Sequence, residues 1–138
     1  MELESLCMPG AGLRPKHYPE LEKGPPRIIK WFEIISENYM DSWGRPREIL
    51  RKVRSDFPVA MHGVSMSLAS VQGPSQDYLE KLKRLHDDIR PFILSDHLCW
   101  TGSYQHNTHD LLPFPYRHPA PICSQCDIHR RWLWHVGL

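Results

Sequence analysis

Two histidines stand where a metal ion could be held. His62 follows the apolar run Val59-Ala60-Met61, and His97 follows Phe92-Ile93-Leu94 with Ser95 and Asp96 between. A third apolar segment, Trp31-Phe-Glu-Ile-Ile35, leads into Ser36-Glu37-Asn38. Three successive apolar runs thus end in groups that can ligate a metal or move a proton. Imidazole and carboxylate together suit zinc, manganese or non-haem iron and do not choose among them. No nucleophile elbow surrounds Ser65 or Ser67, so no serine nucleophile is assigned. Gly10-Ala-Gly12 lacks the third glycine of a dinucleotide loop. Cys123-Ser-Gln-Cys126, with His129 close behind, resembles half a zinc site or a redox C-x-x-C pair, and neither is adopted.

The elements that must position these groups alternate. Gly10–Tyr18 reads as a short first strand passing into a loop, and Trp31–Ile35 as a second strand. Residues 46–56 form a helix, with Pro46 in its first turn and Ile49, Leu50, Val53 and Phe57 on one face. Val59–Met61 reads as a buried strand ending in His62-Gly63. Ser75 caps a helix that runs to Arg90, with Tyr78, Leu79, Leu82, Leu85, His86 and Ile89 as its apolar face. Pro91 stops it, and Phe92–Leu94 is a further buried strand. Strand and helix alternate with a period of about 30 residues, as parallel βαβ units do. In such folds, sites form at the carboxyl ends of the strands. Neighbouring strands lie ~4.8 Å apart, so His62 and His97 would reach one metal ion if their strands are adjacent.

Composition narrows the function classes. The 138 residues carry 17 basic and 16 acidic side chains, a net charge of +1, which gives no reason to expect a nucleic-acid partner. No apolar run exceeds three residues, so no membrane helix is expected. The start, Met1-Glu-Leu-Glu4, has neither the basic nor the apolar region of a secretory signal. Cytoplasmic location, with reduced thiols at Cys7, Cys99, Cys123 and Cys126, is the expectation.

Five ordered segments carry a resemblance. They are Gly-Ala-Gly-Leu-Arg-Pro-Lys-His-Tyr at 10–18, Phe-Glu-Ile-Ile-Ser-Glu-Asn-Tyr-Met at 32–40 and Met-His-Gly-Val-Ser-Met-Ser-Leu at 61–68, then Ser-Asp-His-Leu-Cys-Trp at 95–100 and His-Asp-Leu-Leu-Pro-Phe-Pro-Tyr at 109–116. The sequence resembles the multinuclear non-haem iron-dependent oxidative enzymes, the family of methanobactin and bufferin biosynthesis, long carried as an uncharacterised protein family. The resemblance implies an α/β fold, a TIM-like (β/α)8 barrel, with two or three iron ions at its carboxyl face. It implies oxygen-dependent modification of cysteines in a ribosomally made precursor peptide (RiPP biosynthesis), with a partner protein that delivers the peptide. His62 and His97 fall on motif histidines that bind iron. Glu37 and Asn38 match an active-site pair, while His17, Asp96, His109 and Asp110 match positions that line the site.

The chain also departs from that pattern. A TIM barrel needs ~250 residues, so residues 1–116 correspond to roughly the first four βα units, the N-terminal half of a barrel. After Tyr116 the helical pattern gives way to a stretch with Pro119, Pro121, Trp132 and Trp134. Residues 117–138 are therefore read as a non-family, out-of-frame or disordered tail on a truncated copy. Two rival readings stand beside the oxidase: a truncated inactive product, and a divalent-metal TIM-barrel isomerase or endonuclease of the xylose-isomerase type.

Overall fold

The computed structural model describes residues 7–24, 28–70, 73–103 and 106–113. They fall into two compact units. The first comprises the chain up to Gly63 together with Arg84–Ser95, and the second Val64–Lys83 and the residues from Asp96 onward.

The first unit is built on parallel strands. β1 (Gly10–Gly12) pairs with β2 (Trp31–Ile35), and β2 with β3 (Val59–Gly63). β4 (Ile93–Asp96) completes a four-stranded parallel sheet in the order β1-β2-β3-β4. Between the strands lie α1 (Tyr18–Lys23), α2 (Glu37–Met40) and α3 (Arg45–Asp56). This is the expected α/β architecture, consistent with the opening βα units of a TIM-like barrel. A longer helix, α4 (Gln76–Ile89), has residues in both units.

Side chains alternate across a strand, and register partners share a face. Phe32 and Ile34 of β2 therefore share a face with their partners Val59 and Met61 of β3. All four are at most 2% exposed. Ile49, Leu50 and Val53 of α3 and Leu85 and Ile89 of α4 are buried with them as the core of this unit. Phe57, at the end of α3, meets Phe32 edge-on at 5.2 Å.

Polar contacts fix the helices. Arg47, on α3, is buried; its Nη1 donates to the Tyr39 carbonyl at 2.7 Å, and its Nε lies 3.0 Å from Asp88 Oδ2. Arg51 pairs with the same carboxylate at 3.0 Å. Arg54 Nε donates to the Ile89 carbonyl at 2.8 Å, which satisfies a terminal carbonyl of α4. Ser75 accepts the Tyr78 N–H at 3.2 Å, the cap expected at the start of α4. The glycine at position 10 is demanded by packing, since an added Cβ would run into the Trp31 indole.

Four local expectations are corrected. The strand read over residues 10–18 ends at Gly12. Pro15 opens a 3-10 turn, Pro15–His17, and Pro19 sits in the first turn of α1, because proline suits a first helical turn and cannot donate to a ladder. The polar stretch after β2 is one turn of helix, α2. The last parallel strand is Ile93–Asp96 rather than Phe92–Leu94, and it alternates between exposed and half-buried positions. It ends the strand order of the sheet, which accounts for its openness. In the second unit, β5 (Trp100–Ser103) and β6 (His106–Leu112) form an antiparallel pair that the sequence reading did not separate from loop.

Among the described residues, no helix is long and apolar enough to cross a membrane.

Candidate functional site

Parallel strands bring their carboxyl ends to one rim, and the first unit shows this at residue level. Ile35 is the register partner of His62. The next amide, Ser36 N–H, donates to the His62 carbonyl at 2.8 Å. Glu37 follows as the first residue of α2, half-buried, with Asn38 exposed beside it. The backbone thus sets the Glu37 segment next to His62. The His62 ring is half-buried, and its Nδ1 lies 2.9 Å from Ser95 Oγ of β4 as a hydrogen-bond partner. His17 ends the 3-10 turn that follows β1 and is half-buried.

Two polar atoms at this rim have no hydrogen-bond partner among the described residues. Ser36 is fully buried and its Oγ is unsatisfied, as is one carboxylate oxygen of Glu37, Oε2. Glu37 makes other interactions. Orphaned buried oxygens in a native fold call for a water or an ion. Behind them, Tyr39 and Tyr18 share a hydrogen bond of 3.0 Å between buried hydroxyls. Burial, then the bond to Tyr18, pushes the Tyr39 hydroxyl well above the ordinary tyrosine range.

The second unit holds Asp96, His97, His109 and Asp110. Asp96 Oδ1 accepts the His97 N–H at 2.7 Å, and the Tyr78 hydroxyl is 3.5 Å from Asp96 Oδ2. Asp96 and His97 are both half-buried. Cys99 is buried, and burial followed by the Asp96 charge pushes its thiol up, so it stays protonated at neutral pH. His109 and Asp110 lie on β6, and Asp110 is exposed. Cys123, Cys126 and His129, and the boundary expected at 116–117, lie outside the described residues.

The donor types at the β2 and β3 ends, imidazole nitrogen and carboxylate oxygen, are those of non-haem iron. The hydrogen bond at His62 Nδ1 makes Nε2 the nitrogen suited to a metal. Among the described residues no three His, Cys, Asp or Glu side chains gather as a metal site. These donors therefore fit an iron ligand set in kind and supply only part of a multinuclear one.

Sequence reasoning missed Ser95, Tyr78, Ser36 and Glu33. Period-two alternation could have flagged one of them: Glu33 and Ile35 face the same way, as do their partners Ala60 and His62. Ser95 carries no such signal until the pairing of β4 is known.

Comparison with known proteins now defines the class. The chain matches, over residues 8–127, the family described as RiPP precursor modification enzyme MbnB/TglH/ChrH. It is 50% identical over 122 residues to a UPF0276 protein of Rhizorhabdus wittichii, covering 86% of this chain and 44% of the relative. It is 49% identical over 111 residues to a UPF0276 protein of Caulobacter vibrioides, covering 80% of this chain and 40% of that one. A UPF0276 protein of Anaeromyxobacter is 47% identical over 112 residues, with coverage of 80% and 39%. The chain belongs to the MbnB/TglH/ChrH family of RiPP precursor modification enzymes. It spans about two fifths of the length of the curated relatives it matches.

Proposed function

We propose that this chain is the N-terminal half of an iron- and oxygen-dependent enzyme that modifies cysteines of a ribosomally made precursor peptide. The observation that carries the reading is the family match over residues 8–127, which takes in the five motif segments. His62 and His97 each supply an imidazole to iron, with Glu37 as a carboxylate near the β2 end. When bound, iron supplies a Lewis-acidic anchor for a substrate thiolate and the means to activate oxygen. His62 ligates through Nε2. Glu37 accepts the proton that the substrate thiol releases, at a carboxylate oxygen buried away from bulk water. Asp96 fixes the start of the loop that carries His97 by accepting its N–H. His17, Asn38, His109 and Asp110 line the approach of the peptide, which a separate protein delivers. Reduced substrate thiols place the reaction in the cytoplasm.

The 138-residue chain by itself holds iron weakly and leaves the peptide unmodified, because the described donors are too few for a cluster. The boundary at 116–117 is part of this proposal, although the family match continues past Tyr116 to residue 127. The test is a pair of proteins: this chain, and a fusion in which residues 117–138 give way to the C-terminal region of the Rhizorhabdus wittichii relative. Each is loaded anaerobically with ferrous iron, then given oxygen, a cysteine-containing precursor peptide and its delivery protein. A mass change on peptide cysteines with the fusion alone is the expected result. A change with neither protein, despite a folded and iron-loaded fusion, would remove the oxidase reading.

A further inference from the structure

The His62 ring has a partner on the neighbouring strand. His62 leaves β3 on the face it shares with Ala60, and Ser95 Oγ on β4 lies 2.9 Å from its Nδ1. The sheet order sets β3 beside β4, so this contact spans adjacent strands. Ser95 is exposed and His62 half-buried, and the bond therefore sits at the wet rim rather than in the core. A serine buried among apolar groups would be read as core polarity; at this rim its effect falls on the ring.

We propose that Ser95 is a positioning residue that holds His62 in the Nδ1–H tautomer and so presents Nε2 as the metal-binding nitrogen. This rests on the reading of His62 as an iron ligand. A neutral imidazole carries one N–H. A ring that ligates through Nε2 must carry it on Nδ1. Nδ1–H then donates to Ser95 Oγ, and the serine hydroxyl turns its own proton elsewhere. Such outer partners fix both tautomer and ring angle, and their loss costs ~10–100-fold in metal affinity. At this wet rim, water replaces part of the lost bond, so the low end of that range applies.

The test uses the 138-residue chain labelled with 15N at histidine, metal-free, above the pH at which imidazole titrates. In the wild-type protein His62 is expected as the Nδ1–H form. Ser95→Ala should move it toward the Nε2–H form, and Ser95→Thr should restore the wild-type pattern. Circular dichroism of each variant checks that the fold is kept. In anaerobic titrations with ferrous iron, Ser95→Ala should weaken binding about tenfold, and Ser95→Thr should recover it. A wild-type His62 in the Nε2–H form, or a tautomer unmoved by Ser95→Ala, would overturn the proposal. His62→Ala separates the two ideas. If it leaves ferrous binding unchanged while Ser95 still sets the tautomer, the ligand reading of His62 fails and the positioning stands. If it removes ferrous binding while Ser95→Ala alters neither tautomer nor affinity, the positioning fails and the ligand reading stands.

Discussion

Phe32, Ile34, Val59 and Met61 occupy one face of the parallel sheet, and each is at most 2% exposed. Glu33, Ile35, His62 and Ser95 occupy the other, and none of them is fully buried. On this second face only small Ala60 is closed off, at 3% exposure. The first face is where helices cover apolar side chains, and it stabilises the fold. The second carries a carboxylate, an imidazole and a hydroxyl within one short stretch of sheet. In a closed barrel that face would look inward, toward the carboxyl-end site. Stability and chemistry thus separate by face, two residues at a time along each strand.

Substitutions on the two faces should therefore differ in kind. The largest effect belongs to the closed face: Met61→Ala should cost ~2–5 kcal/mol of stability in chemical denaturation. Ile35→Ala, on the open face one strand away, should cost less than half as much. Equal losses would erase the distinction. Next comes the tie between α3 and α4. Arg47→Ala should cost ~2–4 kcal/mol, somewhat below a fully buried pair because the Asp88 side chain is 26% exposed. Arg51→Ala, whose side chain is 57% exposed, should cost under ~1 kcal/mol. Gly10→Ala should cost ~1–3 kcal/mol through its clash with the Trp31 ring.

A pH effect follows from Tyr39. Its folded-state pKa is raised, by burial first and the Tyr18 bond second. The unfolded chain then loses this proton at a pH where the folded chain keeps it. The stabilisation is complete below the ordinary tyrosine range near 10 and is lost as pH climbs above it. Tyr39→Phe should flatten the fall of stability above that range, as followed by denaturation at stepped pH. An unchanged slope would remove Tyr39 as its source. The smallest stability effect belongs to His62→Ala, within ~0.5 kcal/mol of wild type, since the ring lies at a rim and not in the core.

Much of the closed face was legible in the sequence because it rests on local patterns. Trp-Phe-Glu-Ile-Ile reads as strand, and Ile49, Leu50 and Val53 read as one helical face. Val-Ala-Met leads to His62 at a strand end, where the structure has it. α1 and α2 were not legible, since six- and four-residue helices give too few turns for a period to show. The openness of β4 was not legible either. The run Phe92-Ile93-Leu94 has the composition of a buried strand, and its exposure depends on its place in the sheet order. At the site, residue type found His62 and Glu37, whose register and backbone bond set their segments side by side. Ser95 and Ser36 escaped because serine has no distinctive spacing, and their parts depend on pairing between strands distant in sequence.

The central claim is that the open face, through His62, binds iron. Anaerobic ferrous titration of the fusion carrying the relative's C-terminal region, comparing wild type, His62→Ala and Ile35→Ala, tests it most directly. Iron content should fall in His62→Ala and stay at the wild-type level in Ile35→Ala, its neighbour in register on the same face. Full iron content in a folded His62→Ala protein would contradict the claim.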